Sequence, residues 1–346
     1  MLQLNPNQSR QAIEASMMAR VPLMLWGAPG IGKSNVVEQI ASDLGATLID
    51  IRLSQYDSVD LRGIPSVDKD IHMTTWNAPA TLPFVGNPAF DNPANKDKLI
   101  VLFLDELLQA LPAVQSVAFQ LVLDGKAGEH TLLPNVRVLA ASNRETDKAG
   151  TNRMLTPLAN RFTHIEMVPT LDPWCDWAWT HDIDPRLVAF VRFRPDLLTT
   201  FDSTKNEKVF ASPRTWAYVD RFLKQKLSFD ILSAMVHGSV GSGPATEFMA
   251  FLDVWEDMPN IDGILMNPDS APVPPASKPG TMFAVCAALS QRADKGNLGN
   301  VCVYLDRLPA EYAVRCIKDA TKRKLELHNT KAFNQFVTKY SDLMRL

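Results

Sequence analysis

The chain has 346 residues, 46% of them hydrophobic and 21% charged, with a formal net charge of −3. Such a length argues for two domains and such a composition for ordinary packed cores, while the slightly acidic balance supplies no overall attraction to nucleic acid or to an anionic membrane. No apolar stretch approaches membrane-spanning length, the N-terminus carries no secretory pattern, and the scattered Cys175, Cys286, Cys302 and Cys316 read as reduced core residues of a cytoplasmic protein rather than as metal ligands or disulfides.

In chain order, residues 9–20 are expected to be helical, with Ile13, Met17 and Met18 on one side. A strand follows at 21–26, then a helix at 34–44 ended by Gly45, and a strand at 46–53. Further strands fall at 99–104, 135–142 and 163–168, so the first half alternates strands with helices as a mostly parallel sheet covered on both faces does. The connection over 54–98 is too long for filler; it holds Asp60, Leu61, Arg62, Gly63, Ile64 and Pro65, an alternating segment at 71–76 and a proline-rich loop. From about residue 170 the pattern turns helical, at 172–180, 185–193, 213–226 and 229–237, and a proline-rich linker at 268–275 precedes a final helical group from 282 onward. Within this half, Trp174, Trp177 and Trp179 read as core, Lys318, Lys322, Arg323 and Lys324 as a solvated helix face, and the glycine-rich 238–244, which lacks a lysine, as a loop capping a helix.

The densest chemistry lies at 27–34, where Gly27, Ala28, Pro29, Gly30, Ile31, Gly32, Lys33 and Ser34 leave the first strand and enter the next helix. In that setting G-x-x-x-x-G-K-S is a nucleoside triphosphate loop: the glycines let the backbone N–H groups turn toward phosphate oxygens, and the helix start adds its positive dipole. Lys33 is placed for the β- and γ-phosphates, Ser34 for Mg2+, and Asn35 closes the binding segment. The strand at 99–104 ends in Asp105 and Glu106, which suits one carboxylate near the metal and a second as general base for water. Ligands of parallel sheets sit at the carboxyl ends of the strands, and that rule places Gly27, Asp105 and Asn143 on one edge.

These motifs together resemble the AAA+ ATPases, and among them the MoxR group with its helix-2 insertion. The resemblance covers most of the chain and rests on GAPGIGKS at 27–34, LFLDE at 102–106, VRVLAASN ending at Asn143, LANRF at 158–162 and SPRTW at 212–216, with SQYDSVDLRGIP at 54–65 similar to the start of the insertion. It implies a P-loop NTPase αβα sandwich with a five-stranded, mostly parallel sheet over 1–170, interrupted by the insertion at about 54–98 and a hairpin at about 123–134. A helical lid and C-terminal helical region would fill 171–346. It also implies that Asn143 is sensor 1, that Arg161 is an arginine finger completing a neighbour's site, with Arg153 a weaker candidate, and that Arg214 is sensor 2. ATP and Mg2+ would be the cofactors. The assembly would be a homo-oligomeric ring, a hexamer, that remodels a protein partner, often a von Willebrand factor A-type protein. Where the group reads Asp-Glu-Ile-Asn-Arg-Ala, this chain has Leu108 and Gln109 in place of the Asn and Arg, which puts any subunit contact of those two in doubt. Two alternatives are a nucleic-acid-dependent motor, against which stand the acidic balance and an insertion with few cations (Arg62, Lys69, Lys96, Lys98), and a nucleotide-gated scaffold with little turnover.

Overall fold

The structure, a computed structural model, describes residues 1–68, 70, 72–147, 152, 154, 156–205 and 207–344. The chain divides into two compact units, one of Met1–Pro169 with Asp202–Asn206, the other of Thr170–Phe201 with Glu207–Leu346.

The first unit runs β1 (Gln3–Leu4), α1 (Pro6–Ala19), β2 (Leu23–Trp26), α2 (Lys33–Asp43), β3 (Thr47–Arg52), α3 (Ser58–Arg62), β4 (Ile64–Asp68) and β5 (Met73–Asn77). It continues with β6 (Ile100–Asp105), α4 (Pro112–Asp124), β7 (Lys126–Ala127), β8 (His130–Thr131), β9 (Val136–Ser142), α5 (Thr156–Ala159) and β10 (Thr163–Met167). Six strands form one sheet in the order β1-β10-β2-β9-β6-β3, every neighbouring pair parallel. All residues of β2 and β6 are buried, which is why those segments read as unbroken apolar runs rather than as an alternation. Phe103, Leu104 and Phe84 are among the fully buried side chains, so the long insertion lends Phe84 to the core. The rest of the insertion carries the antiparallel pair β4 and β5, with Ile64, Val67 and Met73 exposed.

Two details of this unit differ from the sequence reading. The sheet has six strands rather than five, because Gln3 and Leu4 add an edge strand to β10; two residues are too few to show a period. Helix α1 starts at Pro6 rather than Ser9. Asn5 caps it, accepting the Gln8 backbone N–H at 2.9 Å while Gln8 Oε1 accepts that of Asn5 at 3.0 Å, and Pro6 occupies the first turn, where its missing N–H costs nothing.

The second unit is helical: α6 (Leu171–Thr180), α7 (Pro185–Phe193), α8 (Pro213–Leu223), α9 (Phe229–Val240), α10 (Ser242–Glu256), α11 (Ile261–Met266), α12 (Pro279–Arg292), α13 (Leu298–Leu305), α14 (Ala310–Arg323), α15 (Lys331–Lys339) and α16 (Ser341–Met344). One core gathers round Phe190, whose ring lies 5.1 Å from Phe248 and 5.5 Å from Trp216, and it includes Trp174 and Trp179; a second gathers round Tyr304 and Leu289. The glycine-rich 238–244 is not a loop. Gly238 lies in the last turn of α9 and Gly243 in the first turn of α10, and Gly241, with φ of 86°, caps α9 and turns the chain between them. No helix among the described residues is long and apolar enough to cross a membrane, and all four cysteines are free.

Arg192 of α7 and Asp319 of α14 form a buried ion pair at 2.6 Å. Burial is the largest influence on both groups: it raises the Asp319 carboxyl above its ordinary value, whereas at Arg192 it is outweighed only by Asp319, Cys175 and Asp172 together, which leave the guanidinium above its own. Arg192→Ala strands a buried carboxylate and should lower stability by about 3–5 kcal/mol, whereas Arg192→Met with Asp319→Leu should cost less than either single loss. Chemical denaturation decides this, and a single variant as stable as the parent would refute it.

Candidate active site

The turn from β2 into α2 is built on glycine. Gly30 and Gly32 take φ of 77° and 95°, and Gly32 immediately precedes the helix. Gly27 is constrained by space instead: a β-carbon there would meet Ile31 Cδ1 at 2.4 Å and the Met167 carbonyl oxygen at 2.7 Å. Ala28 and Ile31 are buried, Pro29 is half-buried and Asn35 is exposed. The first-turn N–H groups of α2 have no intrahelical acceptor, so the junction presents donors and the positive end of a helix dipole to an anion.

Lys33 is only 9% exposed. Its ammonium donates to the carbonyls of Gly27 (2.8 Å) and Ala28 (3.0 Å) and to Asn143 Oδ1 (3.0 Å), which brings the amide at the end of β9 onto the loop. Ser34 Oγ donates to Asp105 Oδ2 at 2.7 Å, while Asp105 Oδ1 accepts the Glu106 backbone N–H at 2.8 Å. These residues come from segments far apart in the chain, and they meet because β2, β9 and β6 are parallel neighbours ending at one edge.

Glu106 has φ of 57°, the left-handed region, which costs a residue with a β-carbon of order 1–2 kcal/mol. Its carboxylate accepts a hydrogen bond from Ser54, in the short turn after β3. The Asp50 carboxyl on β3 is raised from its usual value by desolvation first and then by Asp105, with Glu38 and Glu106 adding to it and Arg52 opposing. Ser54 and Asp50 escaped the sequence reading, although both lie on the strand next to β6 or just after it, where the same edge rule could have found Ser54.

Leu108 is fully buried, and Gln109 Oε1 accepts the Ser142 hydroxyl at 3.1 Å, so both residues that depart from the MoxR pattern are used inside this unit. Arg161 is not joined to the cluster. It is exposed after α5, and among the described residues its guanidinium has no ion pair. Arg153 and Lys69 lie outside the described residues. Arg214 belongs to the second unit, exposed in the first turn of α8 behind the Ser212 and Thr215 capping box. Of the insertion's cations, Arg62 stacks on the Trp76 ring at 4.4 Å. No group of three His, Cys, Asp or Glu among the described residues could hold a metal ion.

A parallel sheet with this loop at its carboxyl edge defines a P-loop NTPase domain. Residues 23–170 match the family model AAA, described as the ATPase family associated with various cellular activities. The segment is an AAA ATPase domain, and the chain's enzyme class is ATP hydrolase. No curated protein matches the chain significantly. Among solved structures, the RuvB Holliday junction branch migration motor from Thermotoga maritima is similar at 15% identity and a TM-score of 0.38, covering 82% of this chain and 80% of that one. NtrX from Brucella abortus in complex with ADP is similar at 14% identity and a TM-score of 0.35, covering 97% and 68%. Likenesses this distant carry no argument about activity.

Gly27→Ala forces a methyl against a carbonyl held in the sheet and should destabilise the protein by about 1–3 kcal/mol, the scale of overpacking a filled space. An unchanged denaturation midpoint would show that the Met167 end of β10 gives way freely.

Proposed function

We propose that the chain is a MoxR-type AAA+ ATPase that hydrolyses ATP with Mg2+ in a homo-oligomeric ring of six subunits and uses the cycle to remodel or activate a protein partner, with a von Willebrand factor A-type protein the expected one. The observation that carries the hydrolytic part is the meeting of Lys33, Ser34, Asp105, Glu106 and Asn143 at one sheet edge. The residues present fit Mg2+: the Ser34 hydroxyl and Asp105 carboxylate are hard oxygen donors, the kind this ion takes alongside phosphate and water, and the acid crowding that raises Asp50 is what a cation relieves. When bound, the ion supplies charge neutralisation at the β- and γ-phosphates.

The chain's own groups divide the remaining work. Lys33 holds the phosphates, and Asn143, already in contact with Lys33, orients the attacking water or the γ-phosphate. Glu106 takes the proton of that water as general base, after its carboxylate leaves the Ser54 hydroxyl. Arg161, exposed and without an ion pair among the described residues, is suited to reach outward to a second subunit and stabilise transition-state charge there. Arg214 would couple the nucleotide to the position of the helical unit. The exposed apolar hairpin of β4 and β5 is a natural contact for a protein partner.

Glu106→Gln should keep ATP binding while slowing hydrolysis by at least about 10²-fold, the scale of a lost general base. Single-turnover hydrolysis and binding of a fluorescent ATP analogue separate the two effects, and undiminished turnover would remove Glu106 from the mechanism. The ring is tested by mass in solution with a non-hydrolysable analogue, where a persistent monomer would end that part of the reading. Added duplex DNA separates the nucleic-acid motor: turnover that climbs with DNA and collapses with salt would replace the protein partner.

A further inference from the structure

We infer that His164 is a positioning residue that ties the nucleotide loop of its own subunit to the placement of Arg161; the inference rests on the reading of Arg161 as acting in a neighbour's site. Strand β10 begins two residues after Arg161 and passes beside the start of the nucleotide loop. On that strand, His164 Nδ1 accepts the indole N–H of Trp26 at 2.8 Å. Indole nitrogen is a donor only, so Nδ1 carries no proton and Nε2 does. The Nε2–H then donates to the Ala159 carbonyl, 2.7 Å away at the end of α5. The two rings lie nearly parallel, 20° apart with centroids at 5.8 Å, and the Phe162 ring meets His164 edge-on at 6.3 Å.

Both ends of this chain of bonds lead to proposed reacting groups. Trp26 is 6% exposed and directly precedes Gly27, whose carbonyl holds Lys33. The same strand then sets the Met167 carbonyl against Gly27, at the close approach that excludes a β-carbon. At the other end, Ala159 accepts the Phe162 N–H at 3.3 Å and Leu158 the Arg161 N–H at 3.1 Å, so His164 anchors one of the two adjacent carbonyls on which the turn that presents Arg161 is wound. A shift of Gly27 as the loop closes on phosphate therefore moves Trp26, His164 and the Arg161 turn together. An apolar side chain at 164 would break both bonds at once and leave a buried indole N–H unpaired.

The test uses three variants of the full chain. His164→Leu removes both hydrogen bonds, Trp26→Phe removes only the N–H and keeps a ring, and His164→Gln keeps one acceptor and one donor on a planar group. His164→Leu and Trp26→Phe should lower kcat at least about tenfold, within the range that a 1 Å misplacement of a catalytic group produces. Affinity for a fluorescent ATP analogue should stay close to the parent's, and His164→Gln should recover part of the turnover. Mixed with Lys33→Ala subunits, which are inactive alone but keep an intact Arg161 turn, His164→Leu should regain activity, as should Arg161→Ala in the same mixture. Recovery with Arg161→Ala but none with His164→Leu overturns the inference and leaves Arg161's role standing, since His164 would then serve only its own site. No recovery with Arg161→Ala, in assemblies of confirmed mass, removes the trans role and this inference with it. If His164→Leu does not fold, Trp26→Phe carries the same comparison, and parental turnover in Trp26→Phe overturns the inference.

Discussion

A parallel sheet sends the carboxyl end of every strand to the same edge, and in this protein that constraint assembles the chemistry. Strands β2, β9 and β6 are neighbours, so the loop after the first, the amide after the second and the carboxylates after the third come within hydrogen-bond reach without any one of them being close in sequence. The buried Lys33 ammonium is the physical centre of the arrangement. A cation at 9% exposure is sustained by two loop carbonyls and the Asn143 amide oxygen, which accept its hydrogens, and those contacts in turn hold the loop in its turned form.

The site is also a place of stored constraint. Glu106 occupies a left-handed conformation that its side chain does not favour, Gly27 is pressed against a backbone carbonyl, and Asp50, Asp105 and Glu106 gather negative charge at one edge. Each is a local cost that the surrounding sheet over-determines, as expected where geometry serves a reaction rather than stability. The helical unit shows the other pattern, with aromatic packing round Phe190 and a buried Arg192–Asp319 ion pair joining α7 to α14.

Much of this was legible beforehand. Buried parallel strands read as apolar runs, and the loop, the acidic pair and Asn143 stood at strand ends where a sheet edge gathers them. What was missed has physical causes. The strand Gln3–Leu4 is too short to show a period, and the helix start at Pro6 lies ahead of the apolar pattern, where only the reciprocal capping of Asn5 and Gln8 marks it. The glycines of 238–244 read as a loop because glycine has low helix propensity, yet two of the three lie in the end turns of helices, where the neighbouring residues carry the helical pattern.

The amino-acid sequence by itself determined the elements and the strand-end chemistry, because periodicity and the glycine–lysine loop are local properties of neighbouring residues. Only the tertiary structure decided which distant groups complete them: Ser54 against Glu106, Gln109 turned inward to Ser142, and His164 bridging Trp26 and Ala159. A lone serine or histidine carries no pattern, and its partner is set by strand order and register, which are long-range consequences of burying the whole sheet at once.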